Sequence, residues 1–113
     1  MTLLASRMWV DVCPLDKLIP GRGVCALVAP FQVAVFRIAG EEIYALSNYD
    51  PFSRAFVLSR GIVGSRAERL KVASPVYKQS FDLETGVCLD DATVSVPTFA
   101  VRVVEGMVQV ASP

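Results

Sequence analysis

Ser74-Pro75-Val76-Tyr77-Lys78-Gln79-Ser80-Phe81-Asp82-Leu83-Glu84-Thr85-Gly86 is the stretch on which the reading of this chain turns. Gln79 to Leu83 carries strand signals, and Glu84-Thr85-Gly86 closes the run with turn residues. Another strand signal, Arg69 to Ala73, lies just before it, so Ser74 to Lys78 connects two strands. The segment is rich in polar and aromatic side chains, yet it holds no histidine, and neither does the rest of the chain.

Outward from this stretch the sequence keeps the same character, short β-type runs broken by Gly and Pro without a sustained helical period. Met8 to Cys13 reads as a first strand stopped by Pro14, and Leu15 to Gly23 as a loop. Val24 to Val28 and Gln32 to Ile38, rich in Val and Phe, are strands separated by Ala29-Pro30. Gly40-Glu41-Glu42 turns the second of them into Ile43-Tyr44-Ala45-Leu46, because Gly supplies the φ > 0 residue that a tight hairpin wants. Asn48-Tyr49-Asp50-Pro51-Phe52 is turn chemistry, Asp50 being pushed by Pro51 toward an extended or turn conformation. Arg54 to Ser59 reads as a short helical turn, Gly61 and Gly64 bracket Ile62-Val63, and Cys88 to Ala92 is a polar loop. Thr98 to Val104, a turn at Glu105-Gly106 and Met107 to Val110 form a second hairpin. About nine short strands at this spacing predict an all-β sandwich or barrel.

The composition bounds what such a fold can do. A chain of 113 residues suits a single domain, 1–113 with its core at about 9–110, and 53% apolar with 19% charged residues places it among folded globular proteins. Eleven basic residues balance eleven acidic ones, and no like-charge cluster exceeds a pair, which excludes a basic nucleic-acid surface. Met1 to Trp9 lacks a basic leader with an apolar core, and so does not read as a signal peptide. Val24 to Ala39 is interrupted by Pro30, Gln32 and Arg37 and falls short of a membrane span. A soluble, cytoplasmic protein is expected. Cys13, Cys25 and Cys88 are widely spaced and lack a fourth ligand for zinc, so all three are expected to be buried free thiols.

The opening stretch resembles the second cluster-binding box of a Rieske iron–sulfur domain, which begins Cys-Pro-x-His-Gly and runs into an aromatic strand ending Asp-x-x-Thr-Gly. Pro75, Phe81-Asp82-Leu83 and Thr85-Gly86 stand as in that box. The resemblance implies that Ser74 takes the Cys position, Tyr77 the His position and Lys78 the Gly position. The first box, Cys-x-His, has its counterpart in Asn48-Tyr49-Asp50, with Asn48 and Asp50 at the ligand positions. A Rieske centre needs two imidazoles on one iron, which a chain without histidine does not supply. Asp50-Pro51-Phe52, Leu58-Ser59-Arg60-Gly61-Ile62-Val63-Gly64 and Lys78-Gln79-x-Phe81-Asp82-Leu83-x-Thr85-Gly86-x-Cys88-Leu89 narrow the resemblance. They are similar to the small subunit of the assimilatory NAD(P)H-dependent nitrite reductase, over about Trp9 to Val110. That likeness implies a Rieske-like β fold that binds no cofactor itself. Its partner would be a large subunit carrying FAD, an iron–sulfur cluster and sirohaem, which reduces nitrite to ammonia in nitrate assimilation. It places no catalytic residue on the small chain.

On one point the residues agree without the resemblance: the chain shows no means of doing redox chemistry alone. There is no His for general-base work near neutral pH, no Ser or Cys with an evident base partner, and no phosphate-binding Gly loop. The resemblance brings Asn48, Asp50, Ser74 and Tyr77 together; one carboxylate among neutral oxygens makes a poor cation site, so they are expected to tie two loops together by hydrogen bonds. Pro51, Phe52, Phe56, Val57 and Leu58 lie beside the first loop, and Pro75, Val76 and Tyr77 beside the second. They form either internal packing or an apolar partner surface rimmed by Arg54, Arg60 and Lys78. Interface candidates are therefore Pro51, Phe52, Arg54, Phe56, Pro75, Tyr77 and Lys78. The alternatives to an accessory subunit are a Rieske-type ferredoxin-like electron carrier and a stand-alone interaction module.

Overall fold

β3 (Phe31–Ala39) is the strand around which the molecule is built. The computed structural model describes residues 8–112; Pro113 and residues 1–7, most of the stretch read as lacking a leader, lie outside the described residues. Val33 and Val35 face one cluster of buried side chains, while Ala34 and Phe36 face another, so both faces of β3 are covered. A strand buried on both sides reads as a continuous apolar run rather than an alternating one, as Val33 to Phe36 does. β3 pairs antiparallel with β2 (Gly23–Val28) through the Ala29-Pro30 turn and with β4 (Glu42–Ser47) through a turn in which Gly40 has φ 53°.

Three further sheets complete the fold. β1 (Trp9–Pro14), β12 (Met107–Ala111) and β11 (Val101–Val104) form an antiparallel sheet in that order. It packs Val108 and Val110 against Val33, Val35 and Ala45. On the other face of β3, β7 (Ile62–Arg66), β8 (Arg69–Ala73) and β9 (Ser80–Asp82) contribute Val72 and Phe81 to a core that also holds Phe36, Leu46, Leu58, Leu83 and Cys88. β5 (Tyr49–Asp50) and β6 (Ala55–Phe56) make a two-stranded ribbon at one end. The sheets stack in layers without closing into a barrel, and β10-β4-β3-β2 keeps two open edges. Among the described residues no helix is long and apolar enough to cross a membrane.

The differences from expectation are local. Among the described residues twelve strands replace about nine, and β5, β6 and β10 (Thr98–Phe99) have two residues each, too short to show a period. Thr98 to Val104 is two strands, because Thr98 and Phe99 pair with Leu46 and Ala45 of β4, whereas Val101 to Val104 pair with β12. The chain changes sheets at Ala100, a corner that apolar periodicity does not mark. The expected helical turn over Arg54 to Ser59 is displaced to a 3-10 turn at Leu58–Arg60, since Asn48 accepts the Leu58 and Ser59 amides and draws that segment in. Ile62 and Val63 belong to a full strand, and Cys88 is a buried bridge to Phe81 rather than loop. Of the three thiols expected to be buried only Cys88 is, for Cys25 lies exposed on the edge strand β2 and Cys13 is half-buried.

The Asp-x-x-Thr-Gly end of the opening stretch has a packing explanation. The buried Asp82 carboxylate accepts the Glu84 and Thr85 amides at 2.8 and 3.1 Å and pairs with Arg69 Nε. Gly86 has φ 78°, and a Cβ there would stand 2.1 Å from the Val96 carbonyl oxygen. Burial pushes the Asp82 carboxyl up, but the Arg69 guanidinium and the two amides outweigh it and hold the group below the usual carboxylate value of 3.8. A carboxyl depressed in the folded state stabilises it above the unfolded pKa, and that stabilisation is lost as pH falls through the folded one. Asp82→Asn is therefore expected to lower the urea midpoint at pH 7 and to flatten the loss of stability below about pH 4. Urea titrations of both proteins from pH 7 to pH 3 check this, and parallel curves for the two would refute it.

Candidate functional site

The two loops singled out in the sequence meet at one end of the molecule. Asn48 follows β4, the β5–β6 ribbon carries Asp50 to Phe56, and Ser74 to Gln79 joins β8 to β9. Asp50 is wholly buried and Ser74 nearly so, and the Ser74 hydroxyl donates to Asp50 Oδ2 at 2.5 Å. The same oxygen accepts the Ser53 hydroxyl at 2.8 Å, and Oδ1 accepts the Phe52 amide at 2.9 Å. Ser74 also accepts the Val76 amide at 3.3 Å, and its own amide donates to the Gln79 carbonyl. One carboxylate thus closes its own turn and clasps the opposite loop.

The four positions matched to the cluster boxes divide into three environments. Asp50 and Ser74 bond to each other across the loops. Asn48 is buried but turned to other partners. Its Oδ1 accepts the Ser59 amide at 2.6 Å, and its Nδ2 lies 3.4 Å from both Cys25 Sγ and Gln32 Oε1. Tyr77 is 62% exposed and belongs to neither set. The expected hydrogen-bonded tie therefore exists, but Asp50 and Ser74 make it, with Ser53 as a third member. Ser53 was not singled out, although its spacing from Asp50 suits a side-chain turn contact.

This donor set does not fit a [2Fe–2S] centre. The positions hold a carboxamide, a carboxylate, a hydroxyl and a phenol where thiolates and imidazoles are needed. The carboxylate and the serine hydroxyl are already spent on each other.

The interface candidates separate by exposure. Phe52 is half-buried, its ring 6.1 Å from that of Phe81 and packed on the core, and Pro51 is half-buried beside it. Leu58, read as part of the apolar surface, is fully buried in that core. Arg54, Phe56, Pro75, Tyr77 and Lys78 are exposed, as is Val76 between them. Phe56 leans on Tyr49 at 5.1 Å yet leaves 53% of itself in solvent. Arg54 and Lys78 both have left-handed backbone, at φ 59° and 65°. At the opposite end, a cleft of about 220 Å³ is lined by Tyr44, Glu68, Arg69, Leu70, Asp82 and Glu84. There a hydrogen bond to Glu42 pushes the Tyr44 phenol up to about 12, so it stays protonated at neutral pH. That cleft holds no nucleophile or base with a partner to activate it.

Comparison with known proteins agrees with this geometry. The model of the Rieske-like [2Fe-2S] domain family matches residues 8–111. The nitrite reductase (NADH) small subunit of Salmonella typhimurium is 45% identical over 102 residues, spanning 89% of this chain and 94% of that one. The solution structure of a nitrite reductase [NAD(P)H] small subunit from Erwinia carotovora superposes with a TM-score of 0.79 at 50% identity, covering 93% of this chain and 82% of that one. A nitrite reductase [NAD(P)H] large subunit of Klebsiella oxytoca contains a stretch 39% identical over 107 residues, 95% of this chain but 11% of that protein. The chain belongs to the Rieske-like [2Fe-2S] domain family and, within it, to the small subunits of NAD(P)H-dependent nitrite reductase.

Proposed function

We propose that this protein is an accessory subunit of a cytoplasmic nitrite reductase, folded as one domain, that binds no cluster and works by docking to a large subunit that does the redox chemistry. The observation that carries the reading is the Asp50–Ser74 clasp, in which two positions matched to cluster ligands are consumed by a bond to each other. A tip closed in this way keeps the shape of a Rieske-like scaffold and gives up the metal. The absence of histidine argues against a ferredoxin-like carrier for the same reason. The Klebsiella oxytoca relative supports the partnership, because there a unit like this one is continuous with a nitrite reductase large subunit. Tethering in one polypeptide raises the effective concentration of two surfaces that meet. FAD, the iron–sulfur cluster and sirohaem belong to the partner on this reading. Pro51, Phe52, Arg54, Phe56, Pro75, Tyr77 and Lys78 mark the end of the molecule that meets it, Phe52 from beneath and the exposed members by contact.

Protein purified without oxygen is expected to contain no stoichiometric iron or acid-labile sulfide, and a visible iron–sulfur absorption band would overturn the cluster-free reading. Nitrite-dependent oxidation of NAD(P)H is expected only when the chain is combined with the large subunit. Activity of the isolated chain would refute the accessory role. The clasp itself is tested by urea unfolding. Asp50→Ala leaves the buried Ser74 hydroxyl and the half-buried Phe52 amide and Ser53 hydroxyl without their acceptor and is expected to cost about 3 kcal/mol, while Ser74→Ala removes the bond to Asp50 and the weaker one from the Val76 amide and costs about 1 kcal/mol. Equal stability of Asp50→Ala and the parent would show that the carboxylate does not hold the loops.

A further inference from the structure

The tip carries charge of one sign. In residues 47–61 and 74–79 the cations are Arg54, Arg60 and Lys78, all exposed, and the one carboxylate is the buried Asp50. The ion pairs of the described residues, Arg66–Asp90 and Arg69–Asp82, involve none of these three cations. Since the whole chain is neutral, this charge is displaced rather than in excess. Away from the tip the two signs are mixed. Glu41 and Glu42 lie where β3 turns into β4, Glu68 where β7 turns into β8, and Glu84 beyond β9, with Arg37, Arg66 and Arg69 on the same stretches.

A second observation concerns the backbone. Each tip loop holds one non-glycine residue in the left-handed region, Arg54 in one and Lys78 in the other, and both are basic. A side chain at such φ is disfavoured, and glycine is the residue that relieves it. Ala67, Glu68 and Glu105 share this backbone region in turns elsewhere, so what sets the two tip positions apart is their positive charge. Between and beside them Phe56, Val76 and Tyr77 are 53%, 46% and 62% exposed. Next to Lys78, Gln79 Oε1 is a buried acceptor with no hydrogen-bond partner among the described residues.

We infer that the tip is an electrostatically steered docking face, and that its counterpart on the nitrite reductase large subunit is an acidic protein surface around an apolar centre. The inference rests on the subunit assignment above and adds the chemistry of the contact. Arg54 and Lys78 beside exposed aromatic and aliphatic side chains, with Arg60 farther along the chain, suit a protein interface with Tyr, Phe and Arg at its centre and charge at its rim. The three cations are too few to grip a polyanion by charge alone.

The test is stopped-flow association of the purified chain with purified large subunit at increasing salt. The parent's association rate constant is expected to fall as salt rises, and the double variant Arg54→Glu/Lys78→Glu to associate about tenfold more slowly at low salt. Arg54→Gly and Lys78→Gly separate charge from strain, because each is expected to melt no lower than the parent yet to associate more slowly. Complex formation at rates indifferent to salt and to all these changes overturns the charged docking face and leaves the subunit assignment standing. Failure of the parent chain to form any complex overturns that assignment. Capture by phosphatidylserine vesicles that the reversals abolish, with association to the large subunit untouched, gives the face to a membrane and also overturns the inference.

Discussion

A carboxylate buried without a cation holds together the two loops at one end of this molecule. Charge removed from water is expensive unless hydrogen bonds replace the lost hydration. Asp50 collects them from the Phe52 amide and from the hydroxyls of Ser53 and Ser74. Those bonds set the course of everything nearby. The Asp50 carbonyl accepts the Arg54 amide, which closes the turn leading into β6 and brings Phe56 against Tyr49. The same carboxylate reaches Ser74 and so fixes the second loop against the first. An iron–sulfur cluster would join the loops by coordination, whereas here a hydrogen bond between two side chains spans them.

The sequence motif shared with cluster-binding relatives survives for reasons unrelated to metal. Asp82 ties a turn and anchors Arg69, and Gly86 lies so close to Val96 that a side chain would collide. The ligand positions are a different matter, since each can be refilled by whatever the loop tolerates. Ser74 and Asp50 were recruited into a new bond, Asn48 into the support of Ser59, and Tyr77 was left in solvent. A family signature can thus persist in its scaffold half while its chemical half dissolves.

How much of this was legible follows from the range of each interaction. The hairpin over β3 and β4 and the turn at Glu105-Gly106 could be read from local residue types. The bond between the two loops was legible only because the resemblance placed Asn48–Asp50 opposite Ser74–Tyr77. The sheet change at Ala100 was not, because Thr98 to Val104 is one apolar run whose halves find different partners. Nor was the split between Phe52 and Phe56. Both are aromatic residues in the same loop, and only the fold decides that one ring lies against Phe81 and the other faces solvent. Cys25 was misjudged on similar grounds, since an apolar strand at the sheet edge leaves its outer residues uncovered.

β3 lends one face to each of the two clusters of buried side chains, so it is a wall common to both. Neither cluster can melt while the other persists, because withdrawing Val33 and Val35 from one carries Ala34 and Phe36 out of the other. Cooperativity is thereby written into a single strand, and the molecule unfolds as one unit. The tip inherits this, for Asn48 continues directly from the strand paired to β3 and its amide bonds back to the Gln32 carbonyl. Loops mounted so close to that wall are held in one arrangement, and on the docking reading little ordering entropy is left to lose when a partner arrives.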